Sequence, residues 1–155
     1  MANTTIILCS VIRDDLDDHL RLSLEEGMKS CYTKHFNLTS GIKIIWIDIP
    51  HGQAYQGGKL SSTATILASV ENQLPSTQRV SFIEDICQLW HQQTGKPKDQ
   101  LVVSAADRER VEFMLGLSRE RVAKLWRIPV MAKMMTRLLF SKVKRGYFSM
   151  DINLS

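Results

Sequence analysis

Proline is missing from the start of this chain: its four prolines fall at 50, 75, 97 and 129. The first strand and helix can therefore run without a fixed φ or a lost amide donor. Cysteine is scarce, and Cys9, Cys31 and Cys87 are an odd, widely spaced set with no Cys-x-x-Cys pair or Cys/His cluster. That excludes a disulfide framework and a zinc site of the usual spacing, and no metal ligand set is expected. Reduced thiols in a cytoplasmic protein fit this usage. Long hydrophobic runs are absent as well, none exceeding four residues, so no segment is expected to span a bilayer. The opening Met-Ala-Asn-Thr-Thr-Ile-Ile-Leu lacks the basic region of a signal peptide and reads as a strand. Without such a signal, the sequons at Asn3, Asn37 and Asn153 carry no weight.

What is present suits one globular domain: 155 residues, 44% hydrophobic and 23% charged. The net charge of +4 is unevenly placed. Residues 1–117 carry 11 Lys/Arg against 14 Asp/Glu, whereas 118–150 carry 9 Lys/Arg against Glu120 alone. The basicity belongs to the tail.

Hydrophobic periodicity divides the body into two similar units. Thr4 to Ile12 reads as a strand, and Asp14 or Asp15 as the cap of a helix striped by Leu16, Leu20, Leu24, Met28 and Cys31 or Tyr32. Ile42 to Ile49 is a second strand. The plan then repeats: strand Thr65–Val70, cap Ser76, a helix carrying Val80, Ile83, Ile86/Cys87 and Trp90, a stop at Gly95, and strand Leu101–Ala105. The expected fold class is α+β: two tandem β-α-β units forming a four-stranded sheet with two helices on one face, plus a C-terminal helical extension. The boundary is expected between residues 2–114 and 115–155.

In the tail, Arg108 to Met114 reads as a helical turn and Ser118 as a cap before Val122, Leu125 and Trp126. Pro129 fits the first turn of a last helix bearing Val130, Met134, Met135, Leu138, Leu139 and Val143. This amphipathic, Met-rich, basic tail is expected to pack on the sheet edge or a neighbouring subunit. A membrane surface or nucleic acid are its alternative partners. No nucleic-acid motif supports the last.

A duplicated β-α-β unit with Pro50-His-Gly-Gln-Ala-Tyr-Gln-Gly-Gly58 between its halves resembles the tautomerase superfamily, in particular its cis-3-chloroacrylic acid dehalogenase-like branch. The likeness covers about residues 2–114, and the Gly-Gly segment in register with the repeat is its most specific part. It implies a homotrimer of double units, a small 2-oxo or unsaturated carboxylate as ligand, and acid–base chemistry without a cofactor. In that family an N-terminal proline supplies the amine. Here residue 2 is alanine, and the resemblance implies weak, altered or absent tautomerase- or hydratase-type activity.

Carried over position by position, the resemblance gives Ala2 and Glu112 as catalytic candidates. Ala2 would act through its primary α-amine, a group that ordinarily titrates at about 7.7–8.0. Glu112 stands in Val111-Glu112-Phe113, which is similar to the segment carrying a water-activating glutamate. Arg13, His35 and Tyr55 are the implied substrate-binding residues, with Cys31 the alternative to His35. The turn expected to hold two arginines reads Asn72-Gln73-Leu74-Pro75-Ser76, with Arg79 one helical turn on. The tyrosine expected in the last strand is replaced by Val103. A non-catalytic oligomeric scaffold that binds through the basic tail is the competing reading.

Overall fold

A computed structural model describes residues 4–38, 41–120 and 124–151. Strand β1 (Thr5–Ile12) alternates up to its last residue, burying Thr5, Ile7, Cys9 and Val11, with Ile12 buried as well. It pairs in parallel with β2 (Ile42–Ile49), from Thr5 opposite Ile42 to Ile12 opposite Ile49. The connection is α1 (Asp18–Phe36), and the second unit runs β5 (Ala64–Val70), α2 (Ser76–Thr94) and β6 (Leu101–Asp107), again parallel. β1 and β5 lie side by side antiparallel, with Cys9 opposite Ile66. The four expected strands thus form one sheet.

The core lies between this sheet and the two helices. Ile7, Cys9, Val11, Ile44, Trp46, Ile66 and Ala68 meet Leu24, Met28 and Tyr32 of α1 and Phe82, Ile86 and Trp90 of α2. Each fully buried large side chain contributes about 1.5–3 kcal/mol. Tyr32 and Phe82 pack edge to face with centroids 4.9 Å apart. The helices pack closely at Gly27, where a Cβ would lie 2.5 Å from Leu89 Cδ1.

Local details correct the sequence reading. The cap of α1 is Asp17, which accepts from the Leu20 amide at 2.7 Å; Asp14 instead takes a left-handed φ of 62° in the preceding turn. α2 begins at Ser76 itself, with Pro75 in the cap position and no side-chain cap bond. Its buried stripe is Phe82, Ile86 and Trp90, which turns Val80 outward. Gly95 does end it, in the left-handed conformation. Gly57 and Gly58, both at positive φ, form the two-residue turn between β3 (Tyr55–Gln56) and β4 (Lys59–Leu60).

The tail departs further. α3 (Arg108–Glu120) runs through Ser118, so that residue starts no helix. α4 (Lys124–Arg145) holds Pro129 beyond its first turn. The chain then adds β7 (Phe148–Asp151), a fifth strand parallel to β2, giving the order β6-β5-β1-β2-β7. β7 was not legible as a strand because four residues show little periodicity. Tyr147 before it is fully buried and donates to Asp18 at 2.5 Å. Ser149 donates to Asp48 Oδ2 at 2.6 Å.

Candidate functional site

β1 and β5 run in opposite directions, so the end of β5 and the end of β6 both arrive where β1 begins. α1 also finishes there. Thr5, Tyr32, Phe36, Leu38, Ser69, Glu71 and Arg108 line a small cleft of about 20 Å³ at this point, enough for one water-sized group. Tyr32 donates to the Ser69 carbonyl at 2.7 Å. Burial, the largest cause, raises its pKa and keeps the phenol a neutral donor. Arg108 opens α3, and its Nη2 lies 3.4 Å from Thr5 Oγ1. Its Nε is buried without a hydrogen-bond partner among the described residues. A guanidinium with an unused donor suits a carboxylate oxygen, since a planar fork can bind a carboxylate in two places.

Glu112 stands one helical turn beyond Arg108, on the same side of α3, and is exposed. The buried residue between them is Val111. Ala2, the expected amine, lies outside the described residues. The other expected site residues sit elsewhere. His35 holds Asp85 of α2 through Nε2 at 2.7 Å, next to Lys34 on the same carboxylate, and does not line this cleft. Tyr55 is 64% exposed in β3 of the β3–β4 hairpin. Arg13 follows β1 and pairs with Asp151 of β7. Eight residues of strand place it about 26 Å from Thr5. Arg13 and Glu112 therefore do not converge within one chain.

Arg13 instead rims a larger cleft of about 940 Å³ between the start of α1, the end of α4 and β7. Arg13–Asp151 and Arg21–Asp48 are ion pairs along its lining, which also holds Asp14, Asp17, Arg137 and Lys144. Beneath it the buried Arg21 binds Asp48 Oδ1 at 2.7 Å and the Leu16 carbonyl at 3.2 Å, and lies between the rings of Trp46 and Tyr147. Arg79 is likewise structural: it donates to the carbonyls of Leu74 and Ala105 and pairs with Asp107. That pairing, led by the Arg79 hydrogen bond, lowers the Asp107 pKa below its ordinary value. Among the described residues no cluster of His, Cys, Asp and Glu is placed to hold a metal.

Arg108 was missed by sequence reasoning. The available signal was topological: an arginine just past β6 must land at the start of β1 when the two units are antiparallel. Tyr32 was read only as core.

No family model matches the sequence, and no curated protein matches it. Solved structures do. Ps01740 in its native form matches with TM-score 0.63 and 21% identity over 66% of this chain and 92% of its own. N1, a member of the cis-3-chloroacrylic acid dehalogenase family, matches with TM-score 0.63 and 13% identity over 66% of this chain and 73% of its own. A symmetric trimer of fused 4-OT matches with TM-score 0.60 and 9% identity, covering 66% and 84%. About a third of this chain lies outside each match. The chain therefore has the fold of these solved tautomerase-superfamily structures.

Proposed function

We propose that a small 2-oxo or unsaturated carboxylate binds over the start of β1, with one carboxylate oxygen seated in the water-sized cleft there, and that this chain has an altered, cofactor-free tautomerase- or hydratase-type activity. The observation that carries the reading is Arg108, whose buried Nε has no hydrogen-bond partner among the described residues and lies beside the neutral Tyr32 phenol. In this scheme Arg108 holds one carboxylate oxygen. The Ala2 amine takes a proton from the enol oxygen and returns one to carbon, and Glu112 activates water where hydration occurs. A primary amine replaces the secondary amine of the family's N-terminal proline, so the activity is weaker and its substrates differ. The chemistry calls for no metal and no cofactor.

The assembly in this reading is a homotrimer. Leu67, Leu8, Ile45 and Phe148 lie side by side across the sheet, on the opposite side from the core residues Ile7 and Ile44, and are only half-buried. Tyr55 and Leu60 pair on the exposed hairpin, at 64% and 67% exposure. These apolar surfaces support a packed interface between copies.

The test is turnover of enol-phenylpyruvate and 2-hydroxymuconate by purified protein, Arg108→Ala and Ala2→Pro. Expected are a weak rate above buffer, a rise in KM of about tenfold or more for Arg108→Ala from the lost charged hydrogen bond, and a gain in rate for Ala2→Pro. A rate equal to buffer in all three proteins overturns the enzymatic reading. A second reading, a non-catalytic scaffold that binds through its C-terminal helices, is favoured by one specific feature: the exposed apolar and basic surface of α4.

A further inference from the structure

The larger cleft, of about 940 Å³, is built mainly by the tail: α4 and β7 form two of its walls, and the start of α1 with the turn before it forms the third. Its size suits a small organic ligand. The α4 wall is one helical stripe. Arg137, Ser141 and Lys144 follow at intervals of four and three, which keeps them within about 60° of one another around the helix, with Phe140 alongside. The facing wall carries Asp14, Asp17 and Asp18.

Several of these charges already have partners. Arg13 is held by Asp151 and Arg21 by Asp48. Asp17 caps α1, Asp18 accepts from Tyr147, and Arg145 also bonds Tyr147. Arg137, Lys144 and Asp14, in contrast, form no ion pair and no side-chain hydrogen bond among the described residues. Arg137 is nonetheless half-buried. Two cations and a carboxylate line one cleft yet stay apart, so the space between the walls exceeds the reach of an ion pair.

The floor adds a donor. Arg21 lines the cleft at 3% exposure, with Nε on the Leu16 carbonyl and Nη2 on Asp48. Its Nη1 is enclosed without a hydrogen-bond partner among the described residues. A buried guanidinium nitrogen in that condition favours an acceptor oxygen beside it. A simple anion would meet like charge at Asp14 and its neighbours, and a simple cation would meet it at Arg137 and Lys144. A zwitterion satisfies both walls. Leu16, Phe140 and Met150 offer apolar surface for a side chain between its charged ends.

We propose that this cleft binds a short peptide with free ends, its α-carboxylate held by Arg137 in the field of Lys144 and its α-ammonium by Asp14. An extended tripeptide spans about 10 Å, which lets its two ends face opposed walls. The proposal goes beyond the chemistry at the start of β1 and does not rest on it.

The experiment is isothermal titration calorimetry of the full chain with trileucine, N-acetyl-trileucine and trileucine amide. Expected is binding of trileucine that weakens about tenfold or more when either end is blocked, the effect of losing a charged hydrogen bond. Arg137→Gln should bind trileucine about tenfold less well and no longer distinguish it from the amide, while still rejecting the acetylated peptide. Asp14→Asn, a residue that tolerates the left-handed backbone at this position, should do the reverse. A merely structural effect of either substitution would not remove discrimination at one end alone, and unchanged thermal melts show that both variants fold. Absence of trileucine binding overturns the proposal. Sensitivity to blocking the carboxylate alone makes this a plain anion site, and sensitivity to blocking the amine alone a plain cation site; either result overturns it. Unchanged discrimination in both variants places the peptide elsewhere and overturns it as well.

Discussion

At the scale of single residues, the most consequential group is the buried Arg21–Asp48 pair. Ser149 takes the second Asp48 oxygen, and Glu25 on the next turn of α1 accepts from Trp46 Nε1 at 3.2 Å. Removing one partner leaves the other charge buried and uncompensated. Asp48→Ala should therefore cost about 3–5 kcal/mol in urea unfolding. Asp107 gives a pH dependence of defined sign. Its pKa is lower in the folded state, chiefly through Arg79, so its contribution is present above the unfolded carboxylate range and is lost as pH falls through the folded value. The stability gap between the protein and Asp107→Asn should narrow below about pH 4, the unfolded Asp range, in unfolding curves taken at successive pH values. Cys9 is fully buried, and burial raises its thiol pKa well above the ordinary value. Iodoacetamide at mildly alkaline pH should label it only after denaturation, as read by mass spectrometry. Sequence alone marked Cys9, like Cys31 and Cys87, as a reduced thiol outside any ligand cluster. It did not mark Arg21 or Glu25, because polar residues at helical spacing read as a solvated face until something covers them.

At the scale of elements, α1 and α2 depend on the absence of a side chain at Gly27. Gly27→Ile would drive a branched side chain into Leu89 and should lower stability by about 1–3 kcal/mol, measurable by thermal or urea unfolding. The principal strands and both core helices were legible within a few residues, since their apolar periods are clear and Gly95 and Pro50 bound them. Caps were less legible. Asp14, Asp15, Asp17 and Asp18 are all chemically suitable, and only the path of the turn after β1 selects Asp17. β7 is too short to show a period, and its strand character comes from pairing with β2.

At the scale of the whole molecule, the sheet carries one face packed by helices and another only half-buried. If three copies associate through the second face, Leu8→Lys should shift the protein from trimer to monomer by light scattering while leaving the core, formed by Ile7 and Cys9, intact. A monomeric parent protein would refute that assembly. The tail is part of the same sheet in its last residues, since Tyr147, Ser149 and Asp151 bind Asp18, Asp48 and Arg13. Its middle, α4, presents an exposed apolar row and carries seven Lys and Arg with no Asp or Glu. The split of charge along the chain thus has a spatial counterpart.

The sequence by itself determined the two β-α-β units, the face each principal strand buries, the reduced cysteines and the segregation of positive charge, all of which follow from local periodicity and composition. Tertiary structure decided which charged residues are buried, where Arg108 and Arg13 lie relative to β1, and that the chain returns as a fifth strand. Those depend on antiparallel placement of two parallel units and on contacts more than a hundred residues apart, such as Ser149 with Asp48. No local pattern encodes such contacts, because each partner is an ordinary polar residue until the fold removes the water between them.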